Sequence, residues 1–257
     1  MRVPFGGKSM FGRYMSNLRA DPAKRIMAVM PPWKDLPEEM RTHAVRPYYD
    51  RLVERQRELR LKRLLDIAGA AVMLAAFGWL FAFLPIIIKI ESPGPVFFRQ
   101  KRVTQFGREF EIHKFRTMKA APHQSGLQVT LHNDARVTRV GAFLRRYRID
   151  EVSQLIDILQ GNMSFVGTRP EVPEYVRKYT PEMLATLLLP AGVTSTASIE
   201  FKDEAQLLTS ITDAERAYTE YILPRKMAFN LDDIRKFSIA RDLRIMLLTI
   251  RAVLTDR

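Results

Sequence analysis

The chain has 257 residues, and its 41 Lys and Arg against 28 Asp and Glu give a formal net charge of +13. This excess indicates a polyanionic partner, such as nucleic acid, an anionic membrane surface or a phosphorylated substrate. The lack of cysteine excludes disulfides and thiolate sites, and four unpaired histidines argue against zinc. No glycine-rich phosphate loop is present, which argues against a P-loop NTPase or a Rossmann dehydrogenase.

The first part of the chain divides into two segments. Residues 1–50 are polar and interrupted by prolines, so we expect a flexible N-terminal extension. A basic helical segment from Tyr48 to Lys62 then leads into an uncharged run from Ile67 to Ile88. This run of about 22 residues is long enough to cross a bilayer. Residues 51–91 are therefore predicted to form a basic lead-in and a membrane helix.

Basic residues lie on both sides of the uncharged run. They are Arg51, Arg55, Arg57, Arg60, Lys62 and Arg63 before it, and Lys89, Arg99, Lys101, Arg102 and Arg108 after it. The positive-inside rule assigns both flanks to the cytoplasm, which a single straight span cannot satisfy. We predict a re-entrant helix, broken at Gly78 or Pro85, ahead of a plain span and of a buried core helix.

Residues 92–257 are predicted to form one cytoplasmic domain. Ser92-Pro93-Gly94-Pro95 indicates a turn, and two short strands follow, Val96–Phe98 and Phe110–Phe115, separated by a turn at Gly107. His113 in the second strand is interpreted as structural. Residues 119–134 are polar and read as a loop. The predicted fold class is α+β and predominantly helical.

An acidic pair, Asp150-Glu151, opens an amphipathic run in which apolar residues recur at helical spacing. Arg145 and Arg148 precede the pair, and Arg169 follows a short loop. Carboxylates in a first helical turn are usually only capping residues. The arginines around this pair, however, would also attract a phosphate to the helix start.

Further elements are predicted beyond the acidic pair. Helices are expected at 173–179, 182–189, 214–222 and 242–254, and a strand around Ile199 and Phe201. The last helix carries one apolar stripe, so it faces either the core or a membrane interface.

Taken in order, these motifs resemble those of the monotopic phosphoglycosyl transferases, the bacterial sugar transferase family, from roughly Lys62 to the C-terminus. The matching pieces are Lys62-Arg63-Leu64-Leu65-Asp66, Ser92-Pro93-Gly94-Pro95 with Phe98-Arg99-Gln100, Lys114-Phe115-Arg116-Thr117-Met118, the series Asp134, Arg136, Thr138, Gly141 and Arg145 before Asp150-Glu151, and Met163-Ser164-Phe165-Val166-Gly167 with Arg169-Pro170. Two departures stand out. Gly78-Trp79 replaces the family's Ser-Pro break, and Ala191 to Ser195 replaces a Pro-Gly-Ile-Thr-Gly block.

The resemblance implies transfer of a phosphosugar from a UDP-sugar to polyprenyl (undecaprenyl) phosphate at the cytoplasmic face of the bacterial inner membrane. This is the first membrane step in assembling an exopolysaccharide, lipopolysaccharide or other glycoconjugate. It makes Asp150 the covalent nucleophile and Glu151 a second catalytic residue and a Mg²⁺ ligand. The substrate phosphates and nucleotide would be bound by Arg145, Arg169, Lys114 and Arg116.

The rival interpretation is a non-enzymatic basic membrane-anchored scaffold or nucleic-acid-binding adaptor. It accounts for the charge and the anchor but gives no reason for an acidic pair among spaced arginines. The enzyme interpretation expects an anionic membrane surface as partner and no specific nucleic acid. The sugar, the polyprenol and the oligomeric state, a homo-oligomer included, stay open.

Overall fold

The computed structural model describes residues 30–119, 136–202 and 214–255. In chain order the helices are α1 Arg46–Glu54, α2 Gln56–Phe77, α3 Leu80–Glu91, α4 Arg139–Arg146, α5 Gln154–Leu159, α6 Pro173–Val176, α7 Thr196–Glu200, α8 Ala214–Ala217, α9 Leu223–Arg235 and α10 Ile239–Thr255. The strands are β1 Phe97–Thr104, β2 Arg108–Phe115, β3 Met163–Val166 and β4 Ala191–Thr194. The described part is thus mostly helical with a few short strands, as expected of the α+β class, and most of the expected loop at 119–134 lies outside it.

Helices α2 and α3 form a bent pair, with an angle of 60° between them. No single helix in the described ranges has the length and apolar character of a bilayer span, whereas this pair reaches both when its two arms are taken together. The bend lies at Gly78 and Trp79. A Cβ atom added at Gly78 would lie only 2.6 Å from the Leu74 carbonyl oxygen, so a residue with a side chain would not fit there without a shift. Pro85, the other predicted break, instead lies inside α3.

Strands β1 and β2 form an antiparallel hairpin, longer than the strands predicted from the aromatic residues alone. The predicted turn at Gly107 is confirmed, with φ of 58° at Phe106 and 73° at Gly107. His113 on β2 donates its backbone N–H to Asp157 of α5, and its ring nitrogen lies 2.8 Å from the same carboxylate. This fits the structural role predicted for His113, because it fixes β2 against α5.

Strands β3 and β4 pair in parallel, and this pairing was not predicted. The strand predicted around Ile199 and Phe201 is wrong, because Thr196–Glu200 forms helix α7. The Ser195 hydroxyl caps that helix by accepting the backbone N–H of Ser198 at 3.1 Å. A side-chain N-cap of this kind starts a helix whatever the β propensity of the residues that follow.

The expected flexible extension is also wrong for residues 30–50, which pack into the largest hydrophobic cluster with α6 and α9. Its N-terminal members are Met30, Leu36, Met40, Val45, Tyr48, Tyr49 and Leu52. The Trp33 ring lies edge-on to Tyr49 with centroids 5.0 Å apart, and the Tyr49 hydroxyl donates to the Pro31 carbonyl at 2.7 Å. The apolar residues between the prolines are therefore buried in the core, although they do not recur at the spacing of a helix.

Both ends of the bent pair are tied to the rest of the protein. Near its start, buried Lys62 donates to the Val166 carbonyl, Arg63 donates to the Ile158 carbonyl, and Asp66 accepts the Phe165 N–H. At its other end, the Glu91 carboxylate accepts the Val140 N–H at the start of α4, at 3.1 Å. Leu84 and Ile88 of α3 are buried against Phe115 and Leu144.

Candidate active site

The acidic pair lies in a turn of its own between two helices. Helix α4 ends at Arg146, and Arg148 has a φ of 55°, which reverses the chain direction before a 3₁₀ turn at Ile149–Glu151. Helix α5 begins only at Gln154. The prediction that the pair opens a continuous helix is therefore wrong in detail. A non-glycine residue in the left-handed region is uncommon, and such strain concentrates at functional sites.

Asp150 is buried and faces one lysine. The Lys114 ammonium on β2 lies 2.8 Å from Asp150 Oδ2, as an ion pair without an aligned hydrogen bond at that oxygen. Burial raises the pKa of Asp150 above its ordinary value, the Lys114 charge opposes this rise, and the neighbouring Glu151 carboxylate adds to it. Arg145 on α4 also lowers the pKa, which places its charge near Asp150.

Glu151 is surrounded by three basic side chains. Its Oε1 accepts a 2.6 Å hydrogen bond from Arg169 and lies 3.3 Å from the Lys114 ammonium. Its Oε2 lies 3.5 Å from Arg148. Burial alone would raise the pKa of Glu151, but the charges of Arg169, Lys114 and Arg148 together hold it well below its ordinary value. Glu151 is therefore ionised at neutral pH.

The loop that carries Arg169 is held from both sides. The Arg102 guanidinium donates to the Pro170 carbonyl at 3.0 Å. The Tyr218 hydroxyl donates to the buried Glu171 carboxylate at 2.6 Å, and the Lys226 ammonium lies 3.6 Å from it. These contacts fix the two residues that directly follow the arginine that meets Glu151.

The structure thus brings most of the predicted site residues together. Lys114, Arg145 and Arg169 surround the acidic pair, whereas Arg116 points elsewhere. Its buried guanidinium donates to the carbonyls of Ser92 and Pro93, at 2.5 and 3.0 Å. Arg116 thereby ties the end of β2 to the turn after α3, and this contact is structural.

Two features of the site were missed by the sequence prediction. Arg148 was noted as a neighbour of the acidic pair but not as a contact of Glu151, although its spacing of three residues could have indicated one. A cavity of about 310 Å³ also adjoins Glu151, between α2, α5, β4 and α10. It is formed by elements distant in sequence, so no local pattern indicates it.

Glu151 is the member of the acidic pair that could take part in holding a metal ion. In the described ranges, no group of three or more His, Asp or Glu side chains is arranged to hold a metal ion alone. Mg²⁺ is usually bound through one or two carboxylates together with substrate phosphates. Ionised Glu151, with Oε2 only loosely paired to Arg148, fits that pattern.

Comparison with known proteins identifies the family to which this chain belongs. The family model for bacterial sugar transferases matches residues 57–256. A UDP-glucose:undecaprenyl-phosphate glucose-1-phosphate transferase of Caulobacter vibrioides is 36% identical over 76% of this chain and 70% of its own length. An enzyme of that same name from Escherichia coli is 33% identical over 83% of this chain and 44% of its own length.

A third relative, from Aeromonas hydrophila, is named as a UDP-N-acetylgalactosamine-undecaprenyl-phosphate N-acetylgalactosaminephosphotransferase. It is 34% identical over 76% of this chain and 44% of its own length. The chain therefore spans less than half of two of these three relatives. Because the family model covers most of the chain, this protein belongs to the bacterial sugar transferase family, and it is a transferase.

Proposed function

We propose that this protein transfers a phosphosugar from a UDP-sugar to a polyprenyl phosphate through a covalent intermediate on Asp150. The observation that carries the proposal is the environment of the acidic pair. Asp150 is buried against Lys114, and adjacent Glu151 is held ionised by Arg169, Lys114 and Arg148. The relatives' names supply the two substrate classes.

The first step is attack by a carboxylate oxygen of Asp150 on the phosphorus next to the sugar. A bond forms between that oxygen and the phosphorus, the bond from the phosphorus to the bridging oxygen breaks, and UMP leaves with the electron pair. A covalent intermediate divides one difficult displacement into two easier ones. Lys114 and Arg169 are positioned to stabilise the negative charge on the phosphates, and Arg145 adds charge beside Asp150.

In the second step, a phosphate oxygen of the polyprenyl phosphate attacks the same phosphorus. A diphosphate bond forms, the bond to Asp150 breaks, and the Asp150 carboxylate is regenerated. Glu151, together with the substrate phosphates, would hold a Mg²⁺ ion that supplies charge neutralisation when bound. Glu151 stays anionic throughout because its basic neighbours lower its pKa.

We further propose that α2 and α3 enter the cytoplasmic leaflet and return. Large apolar side chains are exposed along both arms, including Val72, Trp79, Ile86 and Ile90, and Ile90 is 81% exposed. The start of α2 and the end of α3 both contact the same catalytic body, through Lys62 and Glu91 among others. These contacts favour a re-entrant pair over a complete span.

Cysteine labelling tests this topology, because the chain has no cysteine of its own. Exposed Arg57 precedes the membrane segment and exposed Lys101 follows it. Cysteines at both positions should react with an impermeant maleimide only from the cytoplasmic side. Labelling of the two positions from opposite sides would establish a full span.

The covalent intermediate is tested by incubating the protein with UDP-sugars, without acceptor lipid. The wild-type protein should release UMP and retain a phosphosugar on Asp150, as shown by intact mass and peptide mapping. Asp150→Asn should form no adduct and lose on the order of 10⁴-fold or more in turnover. Asp232→Asn, which alters a surface carboxylate far along the chain on α9, is the matched control and should behave as the wild type.

Two further outcomes bear on the assignments. An adduct on another residue, or an Asp150→Asn variant with near wild-type turnover, would refute the assignment of the nucleophile. Chelation should stop turnover and added Mg²⁺ should restore it, so full activity in excess chelator would remove the metal role of Glu151. A chain that forms no adduct with any UDP-sugar, and binds nucleic acid in a salt-sensitive manner, would favour the adaptor interpretation.

A further inference from the structure

The cavity beside Glu151 is apolar along most of its wall. Its apolar lining comes from four different elements, with Met73 of α2, Leu155 of α5, Val193 of β4 and Met246 of α10 among the side chains. Its volume of about 310 Å³ is at the lower end of the range for small-molecule sites. It adjoins the acidic pair, so a molecule in it would approach the reacting groups.

The walls of this cavity are fixed by specific contacts. The Phe165 ring packs directly over Gly69 of α2, where a Cβ would lie 3.0 Å from the ring. The Phe165 N–H also donates to Asp66 at 3.1 Å. On the opposite side, the hydroxyls of Thr194 and Thr249 lie 2.7 Å apart and join α10 to β4. The cavity is therefore built into the fold.

Four charged side chains also line the cavity. Arg146, Arg148 and Lys202 line it together with Glu151. The Arg148 side chain is 43% exposed and only loosely paired with Glu151, so it can meet an incoming anion. A ligand that matches this arrangement has an anionic head and an apolar body.

A nucleoside matches the cavity less well. A buried uracil requires hydrogen-bond partners for its polar edge, and unpaired polar groups are costly to bury. Two of the hydroxyls on the wall, those of Thr194 and Thr249, are already paired with each other. A third hydroxyl on the wall, that of Ser198, lies 3.1 Å from the Ser195 hydroxyl. The other polar side chains of the wall are charged, and its apolar side chains offer no hydrogen bond.

We propose that this cavity binds the isoprene units next to the phosphate of the polyprenyl phosphate acceptor. The phosphate meets the basic side chains of Arg146, Arg148 and Lys202 on the cavity wall, and the chain continues along α2, which is one arm of the proposed membrane segment. Outside the cavity, α2 presents further exposed apolar side chains, such as Val72, which is 69% exposed. The inference rests on the proposed function, because it assigns a site to one of its two substrates.

The test separates the two half-reactions of the full-length protein in nanodiscs. Met246→Trp and Ala252→Phe each place a larger side chain in the cavity. Both should raise the KM for undecaprenyl phosphate by about tenfold or more, equivalent to about 1.4 kcal/mol of lost binding. The KM for the UDP-sugar should not change. Leu247→Trp, on the exposed face of α10, is the matched control and should change neither KM.

The burst of UMP released without acceptor counts the active molecules in each preparation, so misfolded protein does not distort the comparison. An unchanged acceptor KM in both cavity variants overturns the inference. A raised KM for the UDP-sugar instead would assign the cavity to the nucleotide sugar and would also overturn it. If the wild-type protein itself releases no UMP, the proposed function has failed, which is a distinct result.

Direct labelling covers the case in which the cavity variants do not fold. A geranyl phosphate with a diazirine on its first isoprene unit is bound to the wild-type chain and irradiated. The label should map to the Met73 or Met246 peptides, and excess undecaprenyl phosphate should prevent it. Labelling confined to other parts of the chain contradicts the inference.

Discussion

The contact between Arg169 and Glu151 makes a quantitative prediction about stability. Arg169→Met removes the guanidinium that lies 2.6 Å from Glu151 Oε1 while keeping much of the side-chain volume. Glu151 is 7% exposed and would retain only Lys114 at 3.3 Å and Arg148 at 3.5 Å. A buried carboxylate that loses its closest partner stays desolvated, and the two more distant cations compensate only part of that cost.

Breaking a buried ion pair by removing one partner costs about 3–5 kcal/mol. The Arg169 side chain is 33% exposed, so solvent screens part of the interaction and we take the lower figure of about 3 kcal/mol. In a chain of this size, 1 kcal/mol shifts Tm by about 2–4 °C, which predicts a decrease of about 6–12 °C.

The predicted decrease depends on pH in a defined direction. The pKa of Glu151 is held below its ordinary value in the folded protein, so its ionisation contributes stability above the pKa of an unfolded glutamate, about 4.3. That contribution is lost as the pH falls toward the folded pKa. The Tm difference between wild type and Arg169→Met should therefore be complete at pH 7 and shrink below about pH 4.

Thermal unfolding in one detergent at pH 7 provides the measurement. Arg177→Met is the matched control, because Arg177 pairs with Glu174 at 3.4 Å on the surface and both side chains are about half exposed. The double variant Arg169→Met with Glu151→Gln should recover much of the loss, since it removes the stranded charge. A Tm change no larger than the control's, or no recovery in the double variant, would refute the reasoning.

Two other predictions follow from the structure. Lys114→Met should raise the pKa of Asp150, because the nearest opposing charge is lost, and should move the acid limb of the pH profile for adduct formation to higher pH. Gly192→Ala should lower Tm strongly, since its Cβ would lie 2.2 Å from backbone atoms of Gly167, whereas the control Gly69→Ala meets only the movable Phe165 ring.

The hairpin could be predicted from the sequence because its signals are local. Aromatic residues around Phe97 and Phe110 indicate strands, and Gly107 marks the turn between them. The parallel pairing of β3 with β4 could not be predicted in the same way. Each strand has four residues, and their partners lie 28 positions apart, as from Met163 to Ala191, so no local period reveals the pairing.

The sequence indicated most of the residues that lie at the candidate site, but not which groups each of their side chains contacts. Lys114 lies on β2 and Arg116 directly follows its last residue, and nothing in the sequence separates their tasks. In the fold, Lys114 meets Asp150, while Arg116 binds the carbonyls after α3. The same limit applies to the motif before the membrane helix, where Lys62 is buried against Val166 rather than exposed at the membrane surface.

The different roles proposed for the two acidic residues rest on their different surroundings. Asp150 and Glu151 are neighbours in a 3₁₀ turn, so their side chains diverge, and among the described residues Lys114 is the one basic side chain that pairs with both. Arg169 and Arg148 contact Glu151 alone and hold its pKa low, whereas burial raises the pKa of Asp150. When the surroundings of two carboxyl groups shift their pKa values in opposite directions, the two groups are suited to different roles. The more basic carboxylate of Asp150 is suited to attack phosphorus, and the permanently ionised Glu151 is suited to hold a cation beside it.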